Sequence, residues 1–178
     1  MTITCKEFTL KIISEKEYES LFYLIEKNRN RLLRYFPNTL AETKELNQTK
    51  QFLKNATEQH EAEKLYPFGI YVSGTLVGWI SVKNLEWAIP KCEFGYYIDQ
   101  AQKGKGIMTK VVHKMLTFCF EVLKIEKVFL RIGSDNLGSL RIAVKTGFKK
   151  EGVLRKEFRI DTNELIDVEY FGKLKNEQ

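Results

Sequence analysis

The chain has 178 residues, 43% hydrophobic and 29% charged, with only 3 Pro and 11 Gly. This excludes a disordered or collagen-like polymer and suits a single domain over residues 1–178. Lys and Arg outnumber Asp and Glu by 29 to 23, and the net charge of +6 favours an acidic or phosphorylated partner. Cys5, Cys92 and Cys119 are too few and too scattered for a disulfide framework, and with His60 and His113 they complete no metal set. There is no run of membrane-spanning length and no signal-peptide pattern at the start. The expectation is a cytoplasmic protein with reduced thiols, no metal and no membrane partner.

Taken in chain order, Phe8 to Ile13 alternates as a strand does. Ser14, three residues before Glu17, opens a helix whose apolar face holds Tyr18, Leu21, Phe22, Ile25 and Leu32. Its basic residues Lys27, Arg29, Arg31 and Arg34 read as a solvated helix end, and Pro37 stops it. A weaker helix is expected from Ala41 to Ala62. Phe68–Val72 and Leu76–Val82 then form a hairpin across Ser73-Gly74-Thr75. A strand from Cys92 to Asp99 leads through AQKGKGIMTK into a helix patterned by Met108, Val111, Val112, Met115, Cys119, Val122 and Leu123. Lys127–Ile132 is a strand, Leu137–Thr146 a helix ended by Gly147, and two strands flank Asp161-Thr162-Asn163. The order β-α-α-β-β-β-α-β-α-β-β contains one β-α-β crossover, so a parallel pair sits inside an otherwise antiparallel sheet.

Gly104-Lys105-Gly106 lies between a strand and a helix. Glycines there let backbone N–H groups turn outward at a helix N-terminus, where the dipole favours an anion, and Lys103, Lys105 and Lys110 add positive charge. This describes a pyrophosphate seat, although the spacing is neither a P-loop nor a dinucleotide fingerprint.

The stretch Glu93 to Met108, EFGYYIDQAQKGKGIM, resembles motif A of the GNAT acetyltransferases. Asn136-Leu137-Gly138-Ser139 with Lys145-Thr146-Gly147-Phe148 resembles their motif B, and EGVLRKEF from Glu151 resembles the branch acting on N-termini of ribosomal proteins. The resemblance implies a GNAT-like α/β (α+β) fold. Its mixed, strongly twisted, mostly antiparallel sheet would have about seven strands, a splayed central parallel pair and about four flanking helices. It also implies acetyl-CoA as cosubstrate, bound by the Tyr97 and Ile98 backbone, by Lys103, Gly104, Lys105, Gly106, Ile107 and Met108, and by Asn136 and Ser139. Lys103 and Met108 depart from the family's usual Gln or Arg and small residue. Glu93 is implied as the general base that takes a proton from the acceptor ammonium. The Tyr97 N–H is implied as the donor to the developing oxyanion. Ala143 stands where many members of this family carry a tyrosine that acts as the acid; the ribosomal-protein branch, which this chain resembles in lacking it, implies Ser139 as the proton donor to the thiolate.

The expected acceptor is a primary amine, above all the N-terminus of a ribosome-associated protein, bound near Phe36–Leu40 and Asn84–Lys91, with a homodimer suggested by resemblance alone. Two other readings stay open. One is acetylation of a small amine such as a polyamine or aminoglycoside, with Glu157, Asp161, Glu164 and Asp167 as a local acidic patch. The other is a non-catalytic coenzyme A- or RNA-binding module.

Overall fold

The computed structural model describes residues 1–177. Its elements are β1 (Thr2–Thr4), β2 (Thr9–Ile12), α1 (Tyr18–Leu33), α2 (Pro37–Ala41), α3 (Leu46–Glu61), β3 (Tyr66–Val72), β4 (Thr75–Glu86) and β5 (Lys91–Ile98). They continue as α4 (Ile107–Thr117), β6 (Lys127–Gly133), α5 (Leu137–Lys145), β7 (Lys149–Arg159) and β8 (Leu165–Leu174). The eight strands form one sheet in the order β1-β2-β3-β4-β5-β6-β8-β7. β5 and β6 are parallel, whereas the pairs β1–β2, β2–β3, β3–β4, β6–β8 and β7–β8 are antiparallel.

The sheet therefore has eight strands rather than about seven, and there are five α-helices rather than about four, among the described residues. The extra strand is the three-residue β1, paired with β2 through Ile3 and Leu10 and too short to carry an alternation signal. The extra helix begins at Pro37 itself. Proline lacks an N–H, which the first turn of a helix does not need, so Pro37 starts α2 as well as ending what precedes it. The weaker helix consequently begins at Leu46.

Several local signals act as the residues dictate. Ser14 and Glu17 close a capping box, with the Ser14 N–H donating to Glu17 Oε2 at 2.8 Å. Ser73 (φ 50°) and Gly74 (φ 80°) make the two-residue turn between β3 and β4, both left-handed as a primed hairpin turn requires. Gly147 (φ 78°) follows the last turn of α5. Beyond α4 the helix widens to a π-turn over Phe118–Val122. The extra residue in that turn rotates Val122 to the surface, while Val111, Val112, Met115 and Cys119 stay buried.

The chain forms two compact units, both drawing on β4 and β5. The first comprises Met1–Val82 and Tyr96–Ile107; the second comprises Lys83–Gly95 and the residues from Met108 on. In the first, α1 and α3 supply Leu21, Leu24, Ile25, Leu32, Leu53 and Ala56 to a core shared with Ile13, Trp79 and Tyr97. Each of these leucines and isoleucines contributes about 1.5–3 kcal/mol by burial. In the second, Met115, Phe120, Ile125, Val128 and Leu130 are buried. The free Cys92 thiol donates to the Cys119 sulfur at 3.9 Å there, and burial pushes the Cys119 thiol up.

Candidate active site

In the first unit, β5 runs out into the loop at Lys103–Gly106. Gly104 and Gly106 have φ of 81° and 77°, values that side chains disfavour. A Cβ at either would meet nothing within 4 Å, so conformation rather than space requires glycine there. Lys103 and Lys105 are exposed, and Lys105 Nζ donates to Gln102 Oε1 at 3.1 Å. Ile107 and Met108 turn their side chains into the protein. An open, left-handed, lysine-flanked loop directly before a helix fits a pyrophosphate by its geometry and charge.

The segment before the loop is tied to α1. Lys27 Nζ donates to Asp99 Oδ2 at 2.7 Å, and Asp99 Oδ1 accepts the Ala101 N–H at 3.1 Å. Buried Asn28 accepts the Gln100 N–H on Oδ1 at 2.9 Å and donates from Nδ2 to the Leu24 carbonyl at 2.9 Å. Arg31 donates to the carbonyl of Ile98. Burial alone would raise the Asp99 pKa, but the Lys27 ammonium and the Ala101 N–H outweigh it and hold the carboxyl below the ordinary range. The basic run of α1 is thus more than a solvated helix end: Lys27 and Arg31 hold the segment before the loop, and Arg29 donates to the carbonyls of Leu40 and Thr43. Tyr97 packs edge-on to Phe36 with centroids 5.3 Å apart. Its hydroxyl has no hydrogen-bond partner among the described residues, and burial pushes its pKa up.

In the second unit, Glu93 is 3% exposed and collects four contacts. Asn84 Nδ2 donates to Oε2 at 2.6 Å, Arg131 donates from Nη2 to Oε2 at 3.1 Å and from Nε to Oε1 at 3.3 Å, and Lys83 Nζ lies 3.5 Å from Oε1. A buried carboxylate needs such partners, because an unpaired one is strongly disfavoured away from water. Glu93 is also the last residue of the parallel register, which runs Lys91↔Lys127, Cys92↔Val128 and Glu93↔Phe129 and ends there. Both strands continue, so the ladder between them opens at the carboxylate. The end of a parallel ladder is a place where an extended ligand can add as a strand.

The same unit holds Asn136, whose Oδ1 caps α5 by accepting the Ser139 N–H at 3.2 Å. Ser139 is half-buried in the first turn of α5. Ala143 is fully buried, and its methyl offers no proton donor. Among the described residues no group of three or more His, Cys, Asp or Glu side chains is placed to hold a metal ion, and no helix is long and apolar enough to cross a membrane.

Lys83 and Arg131 were not among the site residues expected from sequence, and Asn84 was expected only as the start of an acceptor segment, not as a partner of Glu93. Arg131 carried a usable signal: it is the charged residue inside the apolar run VFLRIG, on the strand that the β-α-β unit sets beside Glu93. Asn84 carried none, since its contact depends on a left-handed backbone (φ 50°) inside β4.

The chain is 36% identical over 107 residues to the probable N-acetyltransferase YjcK of Bacillus subtilis, a match spanning 58% of this chain and 59% of that protein. It is 28% identical over 179 residues to the putative ribosomal N-acetyltransferase YdaF of Bacillus subtilis, covering 98% and 96% of the two chains. The fold matches ribosomal-protein-S5-alanine acetyltransferase from Vibrio fischeri with a TM-score of 0.91 at 20% identity, over 99% and 97% of the chains. It also matches the microcin C7 self-immunity acetyltransferase MccE, solved with acetyl-CoA and AMP, with a TM-score of 0.88 at 24% identity, over 96% and 93%. The acetyltransferase (GNAT) domain family matches residues 7–149, and the chain belongs to that family of acetyl-CoA-dependent acetyltransferases.

Proposed function

We propose that this enzyme transfers the acetyl group of acetyl-CoA to the N-terminal α-amine of a protein, with a ribosomal protein as the preferred acceptor. The observation that carries the reading is the Glu93 carboxylate, buried at the point where the parallel ladder opens and already contacted by a lysine ammonium. A carboxylate that accommodates one primary ammonium has the chemistry to take another. The similarity to the putative ribosomal N-acetyltransferase over nearly the full length of both chains supports a protein acceptor.

In this reading acetyl-CoA supplies an activated acyl thioester. Lys103, Lys105 and the N–H groups around Gly104, Gly106 and Ile107 receive its pyrophosphate, and the Tyr97–Ile98 backbone receives the rest of the arm. Glu93 takes the proton from the acceptor ammonium, because only the free amine has a lone pair to attack with. Arg131 and Asn84 orient the carboxylate, and Lys83, on the longest of the four contacts, is the partner most easily exchanged for the acceptor. Ser139 hydrogen-bonds the departing thiolate, whose basicity is close to that of a cysteine thiolate, with a pKa of about 8.5, and demands only a weak donor.

The test is thiol release from acetyl-CoA across acceptors: peptides with free Ser, Ala or Met N-termini, the same peptides N-terminally blocked, polyamines and aminoglycosides. Release with free but not blocked peptides, and faster than with the small amines, is the expected result. Faster release with a polyamine or aminoglycoside would replace the protein acceptor by a small one.

A further inference from the structure

Successive residues of a strand point to opposite faces of the sheet, yet Lys83 and Asn84 of β4 both end on the Glu93 carboxylate. The left-handed backbone at Asn84 (φ 50°) breaks the alternation, a conformation asparagine tolerates better than most residues. This irregularity sets a primary amine 3.5 Å from the carboxylate read as the base. The other cation there, Arg131, is a guanidinium with no free amine to acetylate. The Lys83 side chain is 39% exposed, so its amine is within reach of solvent, and its partner is the last residue before the parallel ladder opens.

We propose that Lys83 is itself an acceptor, and that the enzyme acetylates its own Lys83 ε-amine when no external amine is present. The inference rests on the acetyltransfer reading with Glu93 as base. Glu93 takes one proton from the Lys83 ammonium. The freed lone pair attacks the thioester carbonyl carbon, a C–N bond forms and the C–S bond breaks; the nitrogen's second proton passes to the departing thiolate, so coenzyme A leaves as its thiol, the amide keeps one N–H, and Glu93 releases its proton to water. No oxidant or further reactant is required. The acetylated side chain carries no charge, so its ion pair with Glu93 is lost and that position on the carboxylate opens to an incoming ammonium.

The experiment incubates the purified protein with acetyl-CoA alone and follows each lysine by peptide mass spectrometry. Acetylation of Lys83 is expected to exceed that of the other exposed lysines by about tenfold in rate, as proximity to the base requires. It should be independent of protein concentration and lost in Glu93→Gln. If Lys83 reacts no faster than other exposed lysines while a free-N-terminal peptide is acetylated, self-acetylation is wrong and the acetyltransfer reading stands. If neither reacts, both fall. A second arm needs no acetyl-CoA: calorimetric binding of the peptide to Lys83→Met should be about threefold tighter than to the parent, because a competing ammonium is gone. Unchanged or weaker binding would contradict the competition.

Discussion

Asp99 and Glu93 are both buried carboxylates on or just after β5, and their surroundings differ in kind. Asp99 is held by one lysine and by the backbone N–H of Ala101, and its neighbours Asn28 and Arg31 likewise bond backbone groups of Gln100 and Ile98. All four contacts to Glu93 come from side chains, supplied by β4 and β6, and one of those residues has a left-handed backbone. Groups bonded to backbone fix the path of a chain. Side chains converging on one carboxylate, some with exposed tips, leave a position that another molecule can take. The first arrangement supports a loop, and the second is available for chemistry.

Substitutions can break this contrast. Arg131→Met removes the bidentate partner of a buried carboxylate, and losses of that kind cost about 3–5 kcal/mol. Since the Arg131 side chain is 39% exposed, the low end is expected, read as a lowered urea midpoint with unchanged slope. Asp99→Asn should cost about 2 kcal/mol, the value of hydrogen bonds to a charged group. Its pH dependence has a definite sign. The folded carboxyl titrates below its unfolded value, so the stabilisation is present above pH of about 4 and disappears as pH falls through the folded pKa. The stability gap between parent and Asp99→Asn should therefore close in acid, and a gap that widens there would refute the clamp. Reversing Lys103 and Lys105 to Glu should weaken coenzyme A binding by about tenfold at low salt and less at high salt. Unchanged calorimetric affinity would remove the lysines from the phosphate site. Ser139→Ala is the smallest expected effect, a fall in kcat of about threefold to tenfold at saturating cofactor, because a thiolate leaves with little help. Full kcat would end the proton-donor role.

Much of the frame was legible because local chemistry decided it. The β-α-β unit, the glycine pair at 104 and 106, the Ser73-Gly74 turn, the Ser14–Glu17 box and the stop at Gly147 each rest on residues whose preferences are local. Glu93 stood out through its place in a motif, and Arg131 could be found only as the one charge inside an apolar strand; Lys83 and Asn84 reach the carboxylate through strand pairing and a single irregular φ, and neither is encoded in a short window of sequence. The clamp on Asp99 was hidden for the same reason: Lys27, Asn28 and Arg31 meet residues about 70 positions away. β1 and α2 were missed because periodicity needs more residues than three or five.

The most direct test is the kcat of Glu93→Gln with the best acceptor, measured alongside its coenzyme A affinity. Glutamine keeps the shape and can still accept from Asn84, while Lys83 and Arg131 reach solvent and need no counter-charge to stay folded. The account predicts a loss in kcat of about 10²–10⁴, the usual worth of a general base, with calorimetric affinity for coenzyme A unchanged. A kcat within a few-fold of the parent would contradict it and leave Glu93 as a structural anchor between strands.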